Sequence, residues 1–312
     1  MSALPPAIFL MGPTASGKTA VAVELAKKLP VELISVDSAL VYRDMNIGTA
    51  KPDPATLAVA PHHLINIISP TDVYSAAAFR SDALKLMQDI TTRGKIPLLV
   101  GGTMLYFRAL RVGLSDLPQA DIAVRSDIEA QAARIGWPAM HAELARIDPE
   151  TAARLKPNDA QRLQRALEIY RVSGQAMSAL IALQQTYQLP YNLIPIALIP
   201  AERSQLHIRI ATRFDDILKQ GLLEELKSLQ SKYALHRDMP SMRCVGYRQA
   251  WQYLAGECDE YTLREHGIAA TRQLAKRQLT WLRGMTDNIE FNCLDNDLSQ
   301  QVLSKIRTIL DA

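Results

Sequence analysis

The stretch Gly12-Pro13-Thr14-Ala15-Ser16-Gly17-Lys18-Thr19 constrains this chain more than any other. It satisfies the phosphate-binding pattern G-x-x-x-x-G-K-S/T in full. Ahead of it the apolar run Ala7-Ile8-Phe9-Leu10-Met11 reads as a buried strand, and behind it Ala20 to Leu29 reads as a helix. A strand, a glycine turn and a helix start in that order aim backbone N–H groups and the positive end of a helix dipole at one spot. Lys18 adds a cation there and Thr19 a hydroxyl suited to Mg²⁺. The segment predicts a site for a polyphosphate, or at least a diphosphate, and leaves open which one.

At 312 residues, 48% of them hydrophobic, the chain has the length for one large domain or a domain carrying an insertion. Lys and Arg number 35 against 32 Asp and Glu, so a net charge of +3 neither demands nor excludes nucleic acid, and local clustering has to decide. The cysteines Cys244, Cys258 and Cys293 are far apart, with no C-x-x-C pair and no His at zinc-ligand spacing. That pattern fits reduced thiols in a cytosolic protein without a metal cluster. The N-terminus lacks a basic leader, and no apolar window approaches the length of a membrane span. A cytoplasmic protein is therefore expected.

Strand-like runs at Ile8–Met11, Glu32–Val36, His63–Ile68 and Ile96–Val100 alternate with helical stretches at Lys18–Leu29, Ser75–Thr92 and Met104–Arg111. This alternation predicts a parallel α/β sheet. After Gly113-Leu114-Ser115-Asp116-Leu117-Pro118 the character turns helical until Leu193–Ile199. The expected organisation is a P-loop core built from residues 1–117 and 193–312, with a mainly helical insertion, 118–192, over the crevice. The insertion returns to the core through a helix at 159–172. Beyond Glu202 helices are expected at Leu206–Leu218, Leu222–Tyr233, Tyr247–Ala255 and Leu263–Leu282.

Two further segments carry candidate chemistry. The strand Ile96–Val100 ends in Gly101-Gly102-Thr103, an uncharged tip that suits close approach of a ligand and one hydroxyl hydrogen bond, or a tight turn with Thr103 as helix N-cap. The carboxylate that nucleotide kinases place on such a strand is missing here. Asp37, after the second strand, should lie beside the P-loop, because strands of a parallel sheet open their carboxyl ends on one crevice. It reads as a base, a metal-shell ligand or a turn residue. The long polar sequel Arg43 to Pro52 favours a functional loop.

Together these segments resemble the bacterial tRNA dimethylallyltransferases, also called tRNA isopentenyltransferases. The resemblance rests on Gly-Pro-Thr-Ala-Ser-Gly-Lys-Thr, on Asp37-Ser38-Ala39-Leu40-Val41-Tyr42 with Ile47-Gly48-Thr49-Ala50-Lys51-Pro52, and on Pro61-His62-His63-Leu64 and Gly101-Gly102-Thr103. It continues through Asn158-Asp159, Arg162, Arg165-Ala166-Leu167-Glu168, Arg213-Phe214-Asp215, Gly221-Leu222, Gly246-Tyr247 and Lys276-Arg277-Gln278 with Thr280-Trp281, in the family's order along nearly the whole chain.

The resemblance implies transfer of a dimethylallyl group from dimethylallyl diphosphate to N6 of the adenosine at tRNA position 37. The P-loop, Gly12 to Thr19, would then hold the diphosphate leaving group, with Mg²⁺ on Thr19. Lys18 and Arg213 would stabilise the developing charge, Asp37 would take the N6 proton, and Thr103 would polarise the reacting centre or a diphosphate oxygen. Read alone, Arg213 is a surface arginine on an amphipathic helix.

A target base must swing out of its stack, so a basic surface with stacking groups is expected. Residues 272–283 hold Arg272, Lys276, Arg277 and Arg283 with no acid, and Trp281 among them. By resemblance the tRNA contacts are Asp37, Ser38, Ala39, Leu40, Thr103, Arg125, Asp159, Ala160, Gln161, Arg162, Leu163, Arg243, Cys244, Val245, Gly246, Tyr247, Arg248, Lys276, Arg277, Gln278, Trp281 and Arg283. The expected partners are tRNA, through its anticodon stem-loop, and an allylic diphosphate, with no membrane, and the protein is expected to be a monomer.

Where the family has Tyr-Arg-Gly-Met-Asp-Ile-Gly-Thr, this chain has Asp44 for the glycine and Asn46 for the acid, and Asn66 stands where Asp is common. The pair His62-His63 lacks a third ligand at sensible spacing and reads as structural. A small-molecule or nucleoside kinase is the alternative enzyme, and an RNA-binding P-loop module the alternative without catalysis.

Overall fold

The computed structural model describes residues 4–115, 117–183 and 187–311. In chain order it begins β1 (Pro6–Met11), α1 (Lys18–Lys28), β2 (Val31–Val36), α2 (Pro54–Val59), β3 (His62–His63), α3 (Ala76–Thr92), β4 (Ile96–Gly101) and α4 (Met104–Val112). Five helices follow: α5 (Ile122–Ile135), α6 (Trp137–Ile147), α7 (Pro149–Arg154), α8 (Ala160–Ser173) and α9 (Met177–Ala182). The chain ends with β5 (Asn192–Ile199), α10 (Arg203–Lys219), α11 (Leu222–Lys232), α12 (Tyr247–Leu254), α13 (Glu260–Arg283), β6 (Ile289–Asn292) and α14 (Leu298–Leu310).

The six strands form one parallel sheet in the order β3-β2-β4-β1-β5-β6, with Ile8 opposite both Leu98 and Ile194. Ala7 to Met11 of β1 and Pro97 to Gly101 of β4 are buried, as expected of strands covered on both faces. Ile8, Leu10, Leu33, Leu98, Ile194 and Ile196 pack with Val21, Ala22 and Leu25 of α1 and with Val302, Leu303 and Ile306 of α14.

Three expectations are corrected. β1 and β2 are not adjacent, because β4 lies between them, which puts Asp37 and the P-loop two strand spacings, about 10 Å, apart in the sheet. The strand expected over 63–68 is only His62–His63, since Leu64 and Asn66 adopt φ of 63° and 58°, left-handed conformations that end an extended run. After them Ile68 makes a single bridge to Tyr42. The sheet also gains β6, and the chain α2 and α14, where no element was expected.

The described chain divides into two compact units, Met1–Arg111 with Leu189–Ala312, and Val112–Gln188. The second has its own core of Ile128, Met140, Leu144, Leu163 and Leu167. Three of its helices, α5, α7 and α8, start on aspartates: Asp121 accepts from the Val124 N–H, Asp148 from Thr151 and Asp159 from Arg162. α8 stops at Gly174, φ 70°.

Candidate active site

The phosphate-binding turn folds as its sequence demands. Ala15 (φ 63°) and Gly17 (φ 82°) are left-handed, and Gly17 caps α1, so the N–H groups of Lys18, Thr19 and Ala20 face outward without intrahelical acceptors. No acid stands in the first turn of α1 to compete for an anion. The turn lines a cavity of about 810 Å³ that opens at the carboxyl ends of β1, β4 and β2. Lys18 Nζ donates to the carbonyls of Gly12 (2.8 Å) and Pro13 (2.6 Å). Burial pushes its ammonium down to about 8, an effect opposed by Asp37 and reinforced by Arg213.

Asp37, Thr103 and Ser38 form one local unit. Asp37 Oδ1 accepts from the N–H groups of Ala39 (2.8 Å) and Leu40 (3.4 Å), while Thr103 Oγ1 accepts from the Ser38 N–H at 3.0 Å. Thr103 is therefore not across the crevice from Asp37 but bonded to the same turn, because β4 is the strand beside β2. The second carboxylate oxygen of Asp37 is left for the cavity, which it lines. Arg213 also lines that cavity: its guanidinium is largely buried, donates to the Ala50 carbonyl at 3.4 Å and feels the charge of Asp37.

The cavity also has apolar lining. α10 presents Ile210, Phe214 and Ile217, and α13 presents Leu274 and Trp281, each set on one helical face. Phe214 lies back against the bare backbone of Gly267, where a Cβ would stand 1.9 Å from its ring. Cys244, Val245 and Gly246 complete the wall. Burial and the charge of Asp37 push the Cys244 thiol up to about 12, so it stays neutral.

Several residues expected to meet RNA are occupied otherwise. Gln278 is buried, accepting from the Thr14 N–H at 2.8 Å and donating to the Gly102 carbonyl at 2.9 Å, so it joins the P-loop to the Gly-Gly turn. Tyr247 is fully buried with its hydroxyl on Glu225. Leu163 is in the core of the second unit, and Arg125 makes a two-pronged ion pair to the fully buried Glu168. Burial would raise Glu168, yet bonds from Arg125, Arg165 and the Asp121 N–H hold it below its ordinary value. These four side chains have structural partners, while Gln278 still lines the cavity and the Arg125 side chain stays 43% exposed. Asp159 caps α8 and pairs with Arg162.

The remaining expected contacts are accessible. Ser38, Ala39, Leu40, Arg243, Arg277 and Trp281 line the cavity. Arg248, Lys276 and Arg283 are exposed, as are Gln161 and Arg162 on α8. Arg108 on α4 holds its guanidinium 5.9 Å from the centre of the Trp281 ring.

The departures at 44, 46 and 66 also find partners away from the cavity. Asp44 adopts φ 63° and accepts from Lys232 and Tyr233, while Asn46 and Asn66 both accept from Lys51, whose ammonium burial pushes down to about 8. His62 and His63 sit against the Ala60 carbonyl and Glu32. Among the described residues no three His, Cys, Asp or Glu side chains cluster as a metal site, and no helix is long and apolar enough to cross a membrane.

Sequence reasoning missed Glu225 and the true place of Gln278. A glutamate on an amphipathic helix and a glutamine in a basic run carry no local signal of partners 177 to 264 residues away.

A parallel sheet with this strand order and a phosphate-binding turn near its centre define a protein of the P-loop α/β class. Residues 40–285 match the family model described as IPP transferase, and residues 6–66 that described as isopentenyl transferase. The chain belongs to the IPP transferase family. It is 62% identical over 309 residues to a tRNA dimethylallyltransferase of Methylobacillus flagellatus, covering 99% of this chain and 98% of that one. It is 60% identical to the tRNA dimethylallyltransferase of an Azoarcus species, covering 100% and 98%. The tRNA isopentenylpyrophosphate transferase of Bacillus halodurans superposes with a TM-score of 0.72 at 37% identity, covering 99% and 97%. A eukaryotic dimethylallyltransferase solved acting on tRNA gives 0.81 at 26% identity, covering 98% and 80%.

Proposed function

We propose that this protein transfers a dimethylallyl group from dimethylallyl diphosphate to N6 of the adenosine at position 37 of tRNA, beside the anticodon, and releases diphosphate. The observation that carries the reading is one cavity lined together by a phosphate cradle, Asp37, Arg213 and apolar side chains, in a chain of this family.

In the transfer the bond from the allylic carbon to the diphosphate oxygen breaks with its electron pair leaving on oxygen, and a bond from that carbon to N6 forms. Negative charge grows on the diphosphate, where the N–H groups of the P-loop, Lys18 and Arg213 stabilise it. An adenine amine is a weak nucleophile, and Asp37 accepts its proton as the new bond forms. The two backbone N–H groups on the other Asp37 oxygen hold the carboxylate in place on its turn. Thr103, bonded to Ser38, steadies that turn and keeps its hydroxyl on the cavity.

The donor set suits Mg²⁺ carried in by the diphosphate rather than caged by protein. Thr19 and Ser35 offer hydroxyls, Ser35 Oγ is buried without a partner, and Asp37 is a nearby carboxylate. Bound there, the ion would offset charge on the diphosphate.

The RNA lies on the exposed cations Arg243, Arg248, Lys276, Arg277 and Arg283, with Trp281 as a stacking face and Ser38 to Leu40 and Cys244 to Gly246 around the flipped base. Asp159 to Arg162 offer the second unit's contact to the stem. The protein works in the cytoplasm as a monomer. Incubation with radiolabelled dimethylallyl diphosphate and an anticodon stem-loop RNA checks the reaction: label should reach the adenosine with one diphosphate released per transfer and no ATP consumed. ATP-dependent phosphorylation, or tight RNA binding without label transfer, would overturn it.

A further inference from the structure

Glu225, on α11, does not line the cavity, yet its carboxylate gathers four donors. Oε2 accepts the N–H groups of Asn46 and Ile47, both at 2.8 Å, and Oε1 accepts the Gly48 N–H at 3.0 Å and the Tyr247 hydroxyl. Three consecutive backbone N–H groups make a nest for an anion, and here a side chain about 180 residues away in sequence fills it. Charge-assisted bonds of this kind are the stronger ones in a protein.

Two segments of the cavity lining hang from this carboxylate. From Gly48 the chain runs directly into Thr49, Ala50 and Pro52, which line the cavity, and the Ala50 carbonyl receives the Arg213 guanidinium. Tyr247 follows the lining residues Val245 and Gly246. The two segments meet at Gly48, where a Cβ would stand 2.5 Å from the Tyr247 ring, so the approach has no slack. We infer that Glu225 is a positioning residue for the allylic diphosphate: it fixes the Gly48 to Pro52 wall against Tyr247 and, through the Ala50 carbonyl, aims Arg213 into the cavity. The inference rests on the reading above that Arg213 meets the diphosphate.

Glu225→Gln keeps the shape but turns one acceptor into a donor facing N–H or O–H groups, which releases one segment. Calorimetry with inorganic diphosphate and no RNA tests this. Glu225→Gln should weaken diphosphate binding about tenfold, the size of one lost charge-assisted bond. It should raise KM for dimethylallyl diphosphate but not for RNA, and add nothing in an Arg213→Ala background. Tyr247→Phe, which removes only the hydroxyl arm, should give a smaller loss in the same direction and serves if Glu225→Gln does not fold. Equal weakening with and without Arg213, or a lowered melting temperature with unchanged diphosphate affinity, would overturn the inference. Wild-type protein that binds diphosphate but prenylates no RNA would overturn the transfer reading alone.

Discussion

The backbone N–H of Thr14 donates to the side-chain oxygen of Gln278 at 2.8 Å, which ties the phosphate-binding turn to a helix 264 residues further on. The same amide donates to Gly102, and a Cβ at Gly102 would stand 2.3 Å from its nitrogen, so P-loop, Gly-Gly turn and α13 interlock. Gln278→Ala leaves a buried carbonyl and an N–H of the P-loop unpaired. It should cost about 1–3 kcal/mol in denaturant unfolding and lower kcat/KM for the diphosphate substrate.

Asp37→Asn preserves size and the contact to Ala39 but cannot accept the N6 proton. Its kcat should fall by roughly 10²- to 10⁴-fold, with diphosphate affinity largely kept in single-turnover and binding assays. Full turnover would remove Asp37 from the base role.

Lys18 gives a pH signature. Burial holds its pKa at about 8, below the ordinary 10.5, so the free protein loses this proton as pH rises through 8. Diphosphate, an anion, restores it. Near pH 9 diphosphate binding should therefore take up a proton, seen as a dependence of calorimetric enthalpy on buffer, and affinity should fall above pH 8. The unfolded chain holds that proton up to about 10.5, so this group penalises folding below pH 8 and the penalty is relieved as pH rises to 10.5.

Glu168→Ala should strand Arg125 and Arg165 and open a buried void in the second unit, at a cost of about 3 kcal/mol. Amide exchange should accelerate within Val112–Gln188, while diphosphate affinity, set in the other unit, stays unchanged. The folded pKa of Glu168 is depressed, so its stabilisation is present above the ordinary value of 4.5 and is lost as pH falls through the folded one.

Gly267→Ala would put a methyl group 1.9 Å from the Phe214 ring and force that ring into the apolar wall. A loss of about 1–3 kcal/mol is expected from overpacking, with a higher KM for the allylic diphosphate.

Much of the fold and half of the site could be read from local sequence. β1, the glycine turn and α1 follow from a run of apolar residues, two residues forced to positive φ and a helix former, all within 23 positions of each other. Asp37 and Thr103 could be placed at strand ends because parallel strands share a carboxyl edge. What could not be read were the partners. The resemblance places Tyr247, Arg125 and Gln278 at the RNA, and the polar atoms of each also have partners within the protein.

The sequence by itself determined that a phosphate cradle would form, because that cradle depends on φ, ψ and helix-end N–H groups within one short segment. It also determined the family, through motifs spread along nearly the whole chain. Only the tertiary structure decided that β4 separates Asp37 from the P-loop, that Gln278 locks the cradle to Gly102, and that Glu225 joins two segments of the cavity lining. Those facts depend on strand order and on single side chains reaching backbone groups far away in sequence, where no local periodicity or propensity records which donor meets which acceptor.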